Sequence, residues 1–193
     1  MPAVDTRLAY LALVGLVAVE RLVEVAISRR NAARALARGG LDVEPRAFYA
    51  TMVAFHTLFL IAAPAEVLLA RRPFRPGLAA ASLVALAAAM ALRYWAIASL
   101  GDRWNTRLIV VPGEAAVATG PYRHLRHPNY LAVVVEMLAL PLVHGAWLTA
   151  ALASGGNALL LAARIRREER ALAEASDYEA RLADRGRLLP VRR

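Results

Sequence analysis

Four long apolar blocks, separated by arginine-bearing stretches, dominate the chain: Leu8 to Ile27, Phe48 to Ala70, Leu78 to Leu100 and Tyr130 to Ile165. A helix of about 20 residues rises roughly 30 Å, the thickness of a hydrocarbon core. Each of the first three blocks therefore predicts one spanning helix. The fourth is long for one crossing and short for two, which need about 40 residues plus a turn. Pro141, His144 and Gly145 interrupt it near the middle. It predicts a hairpin, a short helix followed by a longer one through Ala146 to Ala163. The pattern is that of an all-α polytopic membrane protein with five transmembrane segments. Three N-terminal spans fill residues 1–100, and a region containing the hairpin and a C-terminal tail fills 101–193, in one integrated membrane domain. Ser154, Gly155 and Gly156 are small enough to let the last span approach a neighbour closely.

The polar stretches set an orientation. Ser28 to Ala47 carries Arg29, Arg30, Arg34, Arg38 and Arg46, and Gly101 to Asn129 carries Arg103, Arg107, Arg123 and Arg126. The tail adds more from Arg164 onward. Arginine in short loops favours the cytoplasmic side. These three stretches are expected inside, and the N-terminus and the Arg71 loop outside, in a bacterial plasma membrane. The tail from Arg164 to Leu182 reads as a cytoplasmic helix extending the last span, with an Arg164–Glu168 pair one turn apart. The first block lacks a basic n-region and a cleavage site and reads as a retained span.

Composition agrees with this picture. Hydrophobic residues make up 59% of the 193 residues, and mean hydropathy is +0.44, too apolar for an ordinary soluble domain. All 24 basic residues are arginine, and the net charge is +9. Such a charge would ordinarily point to nucleic acid. Here the arginines lie at the ends of apolar runs, which fits anionic membrane lipids, and no nucleic-acid partner is expected. There is no cysteine, so disulfides and thiolate metal sites are excluded, and no metal is expected. Nothing in the sequence sets an oligomeric state.

Charges inside spans are costly and mark functional candidates. Glu20, Arg21 and Glu24 fall in the last turns of the first span, where Arg21 and Glu24 can pair. His56 reads as a hydrogen-bonded packing histidine or a substrate contact. Glu66, near the outer end, reads as a solvated headgroup-level carboxylate, and Arg93 can snorkel. Glu136, deep in the short helix, must pair with Arg93 or Arg21, or line a polar cavity.

The densest chemistry lies in TGPYRHLRHPNYLAVVVE, Thr119 to Glu136. Gly120-Pro121 predicts a turn after an extended pair, Val110-Val111 with Ala116-Val117. Pro128 suits the first turn of a helix, and His127 before it is pushed out of the α region. The basic cluster is thus held on a rigid helix start, which favours anionic groups. The tail supplies Glu168 and Glu169, which the hairpin brings to the same membrane face.

GPYRHLRHPNY, a hairpin, and RIRREERAL…YEARL…RLLP together closely resemble the isoprenylcysteine carboxyl methyltransferase family, over roughly Leu100 to Pro190. ERLVEVAISRRNAARALARGG, MVAFHTLFL and RWNTRLIVVPG are similar to a bacterial branch that methylates alkylpyrones and alkylresorcinols. The resemblance implies S-adenosylmethionine as methyl donor, in a pocket at the cytoplasmic face. It also implies a lipophilic small-molecule acceptor entering sideways from the bilayer. By position, His124, Arg126, His127, Pro128 and Tyr130 correspond to a first cofactor motif, with Leu125 contributing by its backbone. Arg164, Glu168 and Glu169 correspond to a second.

Carboxylates suit ribose hydroxyls or an ammonium, and arginine or histidine suits the cofactor's carboxylate. A carboxylate acceptor needs no base. A phenol, with a pKa near 10, gains from one, and His56, Glu136 and His127 are the candidates. A cation such as Arg126 can instead stabilise the phenolate. Carboxyl methylation of a prenylated thiol is a second substrate class. An NADPH-dependent sterol-type reductase shares the Arg-His-Pro-x-Tyr motif, and a non-enzymatic scaffold with rim arginines is a third reading.

Overall fold

The computed structural model describes residues 5–190. They are mostly helical: α1 (Thr6–Ala37), α2 (Arg46–Leu69), α3 (Pro76–Leu100), α4 (Pro128–Leu142), α5 (Trp147–Ala175) and the short α6 (Tyr178–Leu182). One small ribbon interrupts the all-α pattern. Its strands β1 (Leu41–Asp42) and β2 (Ile109–Val110) pair antiparallel.

The helices run up and down between two ends. At one end, His144 of the α4–α5 turn meets Thr6 Oγ1 at 3.2 Å and lies tilted against the Tyr10 and Phe74 rings. This end gathers the start of α1, the α2–α3 turn and the hairpin turn. At the opposite end, Asn31 of α1 donates to the Trp104 carbonyl at 2.8 Å, and Ser28 meets Thr106 Oγ1 at 2.9 Å. That end carries the long connection between α3 and α4, and so the chemistry.

Three helices among the described residues, α2, α3 and α5, are long and apolar enough to cross a membrane. The five-span expectation is not met on that criterion, for two separate reasons. The apolar stretch of α1 is interrupted by Glu20, Arg21 and Glu24. The α4 helix has only 15 residues, about 22 Å at the α-helical rise. Large apolar side chains such as Leu16, Ile61, Val84, Leu152 and Leu159 are exposed along the outer faces, as helices facing hydrocarbon require.

Four further expectations are corrected. Ser28 to Ala37 is not loop but the continuation of α1, because Ser28, Asn31 and Ala35 are buried against the α3–α4 connection. The ribbon partner of Val110 is Leu41, not the stretch at Ala116. The tail is not one helix to Leu182: it breaks at Ser176, where Asp177 turns to accept the Ala116 N–H at 2.6 Å. That bond holds the Asp177 carboxyl below the usual range.

Glu66 is not a loosely solvated carboxylate. It accepts the backbone N–H groups of Leu148 and Thr149, at 3.2 and 2.7 Å, and pairs with Arg72 at 2.7 Å. The first amides of a helix lack intrahelical partners, and Ala146 at the α5 N-cap has no polar side chain to offer. Glu66, from another helix, supplies the cap.

The hairpin is present as read. Pro128 opens α4, with His127 at φ −129° and ψ 59° before it. Pro141 lies in the last turn of α4, where its carbonyl accepts the Ala146 N–H at 3.0 Å. Gly156 matters for the α2–α5 contact, since a Cβ there would sit 2.7 Å from the Phe55 ring, whereas Gly155 faces open space. Gly156→Val should therefore cost about 1–3 kcal/mol through overpacking and lower the melting temperature in detergent. Gly155→Ala should leave it nearly unchanged. Equal shifts in the two variants would contradict the packing assigned to Gly156.

Candidate functional site

Arg164 of α5 is buried and engaged on every side. Its Nη1 donates to Glu44 Oε1 at 2.7 Å, Nη2 to the Thr106 carbonyl at 2.7 Å, and Nε to the Tyr130 hydroxyl at 2.8 Å. The expected pair with Glu168 one turn on is replaced by this arrangement. The reason is burial: a desolvated guanidinium is stable only with its donors satisfied, and Glu44 is itself buried beside it. Glu168 is bound instead by the Tyr130 hydroxyl.

Glu169 sits at a second junction. Its Oε1 meets His127 Nε2 at 3.2 Å and Arg126 Nη1 at 3.5 Å, and its Oε2 takes Arg187 Nη2 at 2.6 Å. Arg126 reaches further along the C-terminal segment. Its Nη2 donates to the Ala183 carbonyl at 2.6 Å and its Nε to that of Arg185 at 2.7 Å. The backbone completes the seam. Arg126 N donates to Gly186 O and His127 N to Arg187 O, and Leu125 bridges Gly186 in parallel. The GPYRHLRHP stretch and the RLL segment near the C-terminus thus form one two-stranded closure, with Glu169 as its latch.

Beneath this closure lies a cavity of about 710 Å³, within the range of small-molecule sites. Arg126, His127, Tyr130, Arg164 and Glu168 line it, and so do Glu136 and His56 from the helical interior. His124, Leu125, Pro128 and Glu169 do not. His124 is exposed, Pro128 serves the helix start, and Leu125 and Glu169 belong to the closure. The two sequence clusters do come together, through Tyr130–Glu168 and His127–Glu169.

Several lining residues have no role in the sequence reading: Asn105, Arg107, Tyr122, Asn129 and Tyr178. Asn105, Arg107 and Tyr122 come from the α3–α4 connection, whose path only the folded chain reveals. Burial pushes the Tyr122 and Tyr178 hydroxyls up, so both are neutral hydrogen-bonding groups. Asn129 follows Pro128 at the start of α4 and had no assigned role. Its Oδ1, together with Asn105 Oδ1 and Arg107 Nε, is buried without a hydrogen-bond partner. Their residues line the cavity, and unmet polar groups beside a cavity are candidates for a polar ligand to engage.

The other end of the cavity is also charged. Glu136 binds Arg93, and lies 3.7 Å from Arg21. Arg21 pairs with Glu24 at 2.7 Å and with Glu20 at 3.0 Å, and Arg93 lies 3.6 Å from Glu24. The Arg21–Glu24 pair is formed, and Glu136 meets every alternative left open for it, pairing with Arg93, approaching Arg21 and lining the cavity, all in one network. Arg93 does not snorkel to the surface: it is 5% exposed. His56 hydrogen-bonds the Met52 carbonyl at 2.8 Å through Nδ1.

The profile of the isoprenylcysteine carboxyl methyltransferase (ICMT) family matches residues 81–174, from within α3 to the last turn of α5. The uncharacterized protein YpbQ of Bacillus subtilis (strain 168) is 38% identical over 165 residues, covering 85% of this chain and 96% of that protein. An uncharacterized protein of Haemophilus influenzae is 28% identical over 153 residues, covering 79% and 88%. The chain belongs to the isoprenylcysteine carboxyl methyltransferase family, whose members are membrane methyltransferases acting on lipophilic substrates. Its apolar helices fit an integral membrane protein.

The latch makes a separable prediction. Glu169→Gln should release Arg187 and expose the C-terminal segment to trypsin after Arg185 and Arg187, whereas Glu168→Gln should leave the digestion pattern unchanged. Identical digestion of the Glu169 variant and the parent protein would remove the latch assignment.

Proposed function

We propose that the protein transfers a methyl group from S-adenosylmethionine to a hydroxyl of a lipophilic acceptor, with alkylresorcinol- or alkylpyrone-type lipids favoured. The observation that carries this reading is the single cavity joining motif residues under the C-terminal closure to charged residues within the helices. Cofactor and acceptor approach it from opposite ends. The arginine-rich end faces the cytoplasm of a bacterial cell, in line with the loop charges, and the acceptor enters between the helices from the bilayer.

The residues present fit the cofactor. The unpartnered Asn105, Asn129 and Arg107 atoms offer acceptors and a donor to its polar groups. Glu168, oriented by the Tyr130 hydroxyl, suits its ribose hydroxyls or ammonium. Trp104, Leu108 and Tyr122 give the wall apolar and aromatic surface. When bound, S-adenosylmethionine supplies an electrophilic methyl group on a sulfonium.

The protein's part is position, exclusion of water and a proton acceptor. Among the three base candidates, the geometry favours His56. Its Nδ1 faces a carbonyl oxygen, which only accepts, so the proton resides on Nδ1 and leaves Nε2 with a lone pair. His127 instead turns Nε2 to the Glu169 carboxylate, which occupies it in the closure. Arg126 spends its donors on Ala183, Arg185 and Glu169, and acts here by holding the closure rather than by meeting the acceptor.

Purified protein should be stabilised against heat by S-adenosylhomocysteine and not by NADPH. Membranes containing it should move label from S-adenosylmethionine into an alkylresorcinol. His56→Asn should lower the turnover about 100-fold, in the range of general-base losses, with S-adenosylhomocysteine binding retained. Stabilisation by NADPH alone would reassign the protein to reductase chemistry. Absence of label from every lipid and prenylcysteine fraction, in folded protein, would sink the methyltransferase proposal.

A further inference from the structure

The membrane-depth charge network is more than a set of matched ion pairs. It contains three carboxylates, Glu20, Glu24 and Glu136, against two guanidiniums, Arg21 and Arg93. With all five ionised, one negative charge is in excess. Four of them, Arg21, Glu24, Arg93 and Glu136, line the cavity. Hydrogen bonding inside the network is one-sided. Glu24 and Glu136 both use Oε2 for their arginine partners. Glu24 Oε1, Arg93 Nε and Arg21 Nε are buried with no hydrogen-bond partner at all. Glu24 is 7% exposed and Arg93 5% exposed. Leaving such atoms unmet in an apolar surrounding is expensive.

We infer that this network is the specificity site for the acceptor's head group, and that it selects a neutral, hydroxyl-bearing head over an anionic one. The inference rests on the methyltransferase reading above and narrows its substrate class. A phenol or enol hydroxyl donates to a carboxylate oxygen such as Glu24 Oε1 and accepts from an arginine Nε. An acceptor carboxylate cannot donate, and with all five groups ionised it meets one surplus negative charge. At low dielectric that repulsion is weakly screened. Val14, Val53, Leu60 and Val133 line the same cavity, and such apolar wall suits the alkyl chain. The head group therefore approaches His56 from the side opposite the cofactor end, and the charge balance acts as a filter before any chemistry.

The test uses binding in nanodiscs without cofactor, so that it does not depend on turnover. The probes are a long-chain alkylresorcinol and an N-acetyl prenylcysteine. The wild-type protein is expected to bind the alkylresorcinol at least about tenfold more tightly, the scale of one hydrogen bond to a charged group. Glu136→Gln and Glu24→Gln should each weaken alkylresorcinol binding by about tenfold. The double variant, whose network carries one excess positive charge, should shift preference toward the prenylcysteine. S-adenosylhomocysteine affinity, measured separately, reports that each variant is folded. Should either of these variants fail to fold, Glu20→Gln makes the same charge change at the carboxylate with 18% side-chain exposure, and should move the ratio in the same direction.

Tighter binding of prenylcysteine by the wild type would overturn the inference. So would a preference ratio that none of the variants moves, which would leave the network a structural ion-pair cluster only. Failure of the methyltransferase reading looks different: no S-adenosylhomocysteine binding to wild-type protein, whatever the lipid ratio.

Discussion

One buried guanidinium ties the molecule together. Arg164 joins α5 to Glu44 after the β1 strand, to Thr106 in the α3–α4 connection and to Tyr130 at the start of α4. Removing Glu44 would leave an uncompensated buried charge, an effect of about 3–5 kcal/mol. Four chain segments meet at that one side chain. Tyr130, once placed by Arg164, orients Glu168, so a stability constraint also sets the wall of the cavity.

The same economy appears at the other polar junctions. Glu66 of α2 caps α5, and Glu169 of α5 fastens the C-terminal segment through Arg187. In each case a charged group satisfies backbone or side-chain groups on a distant element, in a protein whose outer faces are too apolar to specify a unique packing alone. Between helices in lipid, hydrophobic burial gives little discrimination, and polar contacts and close packing supply it.

Much of this was legible in the sequence. The hairpin, Pro128 at the head of α4, the Arg21–Glu24 pair, the need of Glu136 for a cation or a cavity, and the approach of the two charged clusters at one end follow from spacing, turn chemistry and the cost of buried charge. What was not legible depended on long-range placement. Arg164 has a plausible partner one turn away in Glu168, and only the fold shows Glu44 arriving from 120 positions earlier in the chain. Arginine-rich Ser28 to Ala37 looks like a loop until its small and polar face meets the α3–α4 connection. Asn105 and Asn129 have no role in the sequence reading and matter because their oxygens are buried unpaired. The family's motif residues also divide in a way their order in the sequence conceals: Tyr130 and Glu168 face the cavity, while Leu125 and Glu169 hold its cover.

In the proposed function one cavity serves both ligands from opposite ends. The most direct measurement is an experimental structure of the protein in lipid with S-adenosylhomocysteine bound. The ligand is expected beneath the C-terminal closure, contacting Asn105, Asn129 and Glu168, with its sulfur directed toward His56. Ligand density outside this cavity, or at the Arg93–Glu136 end of it, would rule that arrangement out.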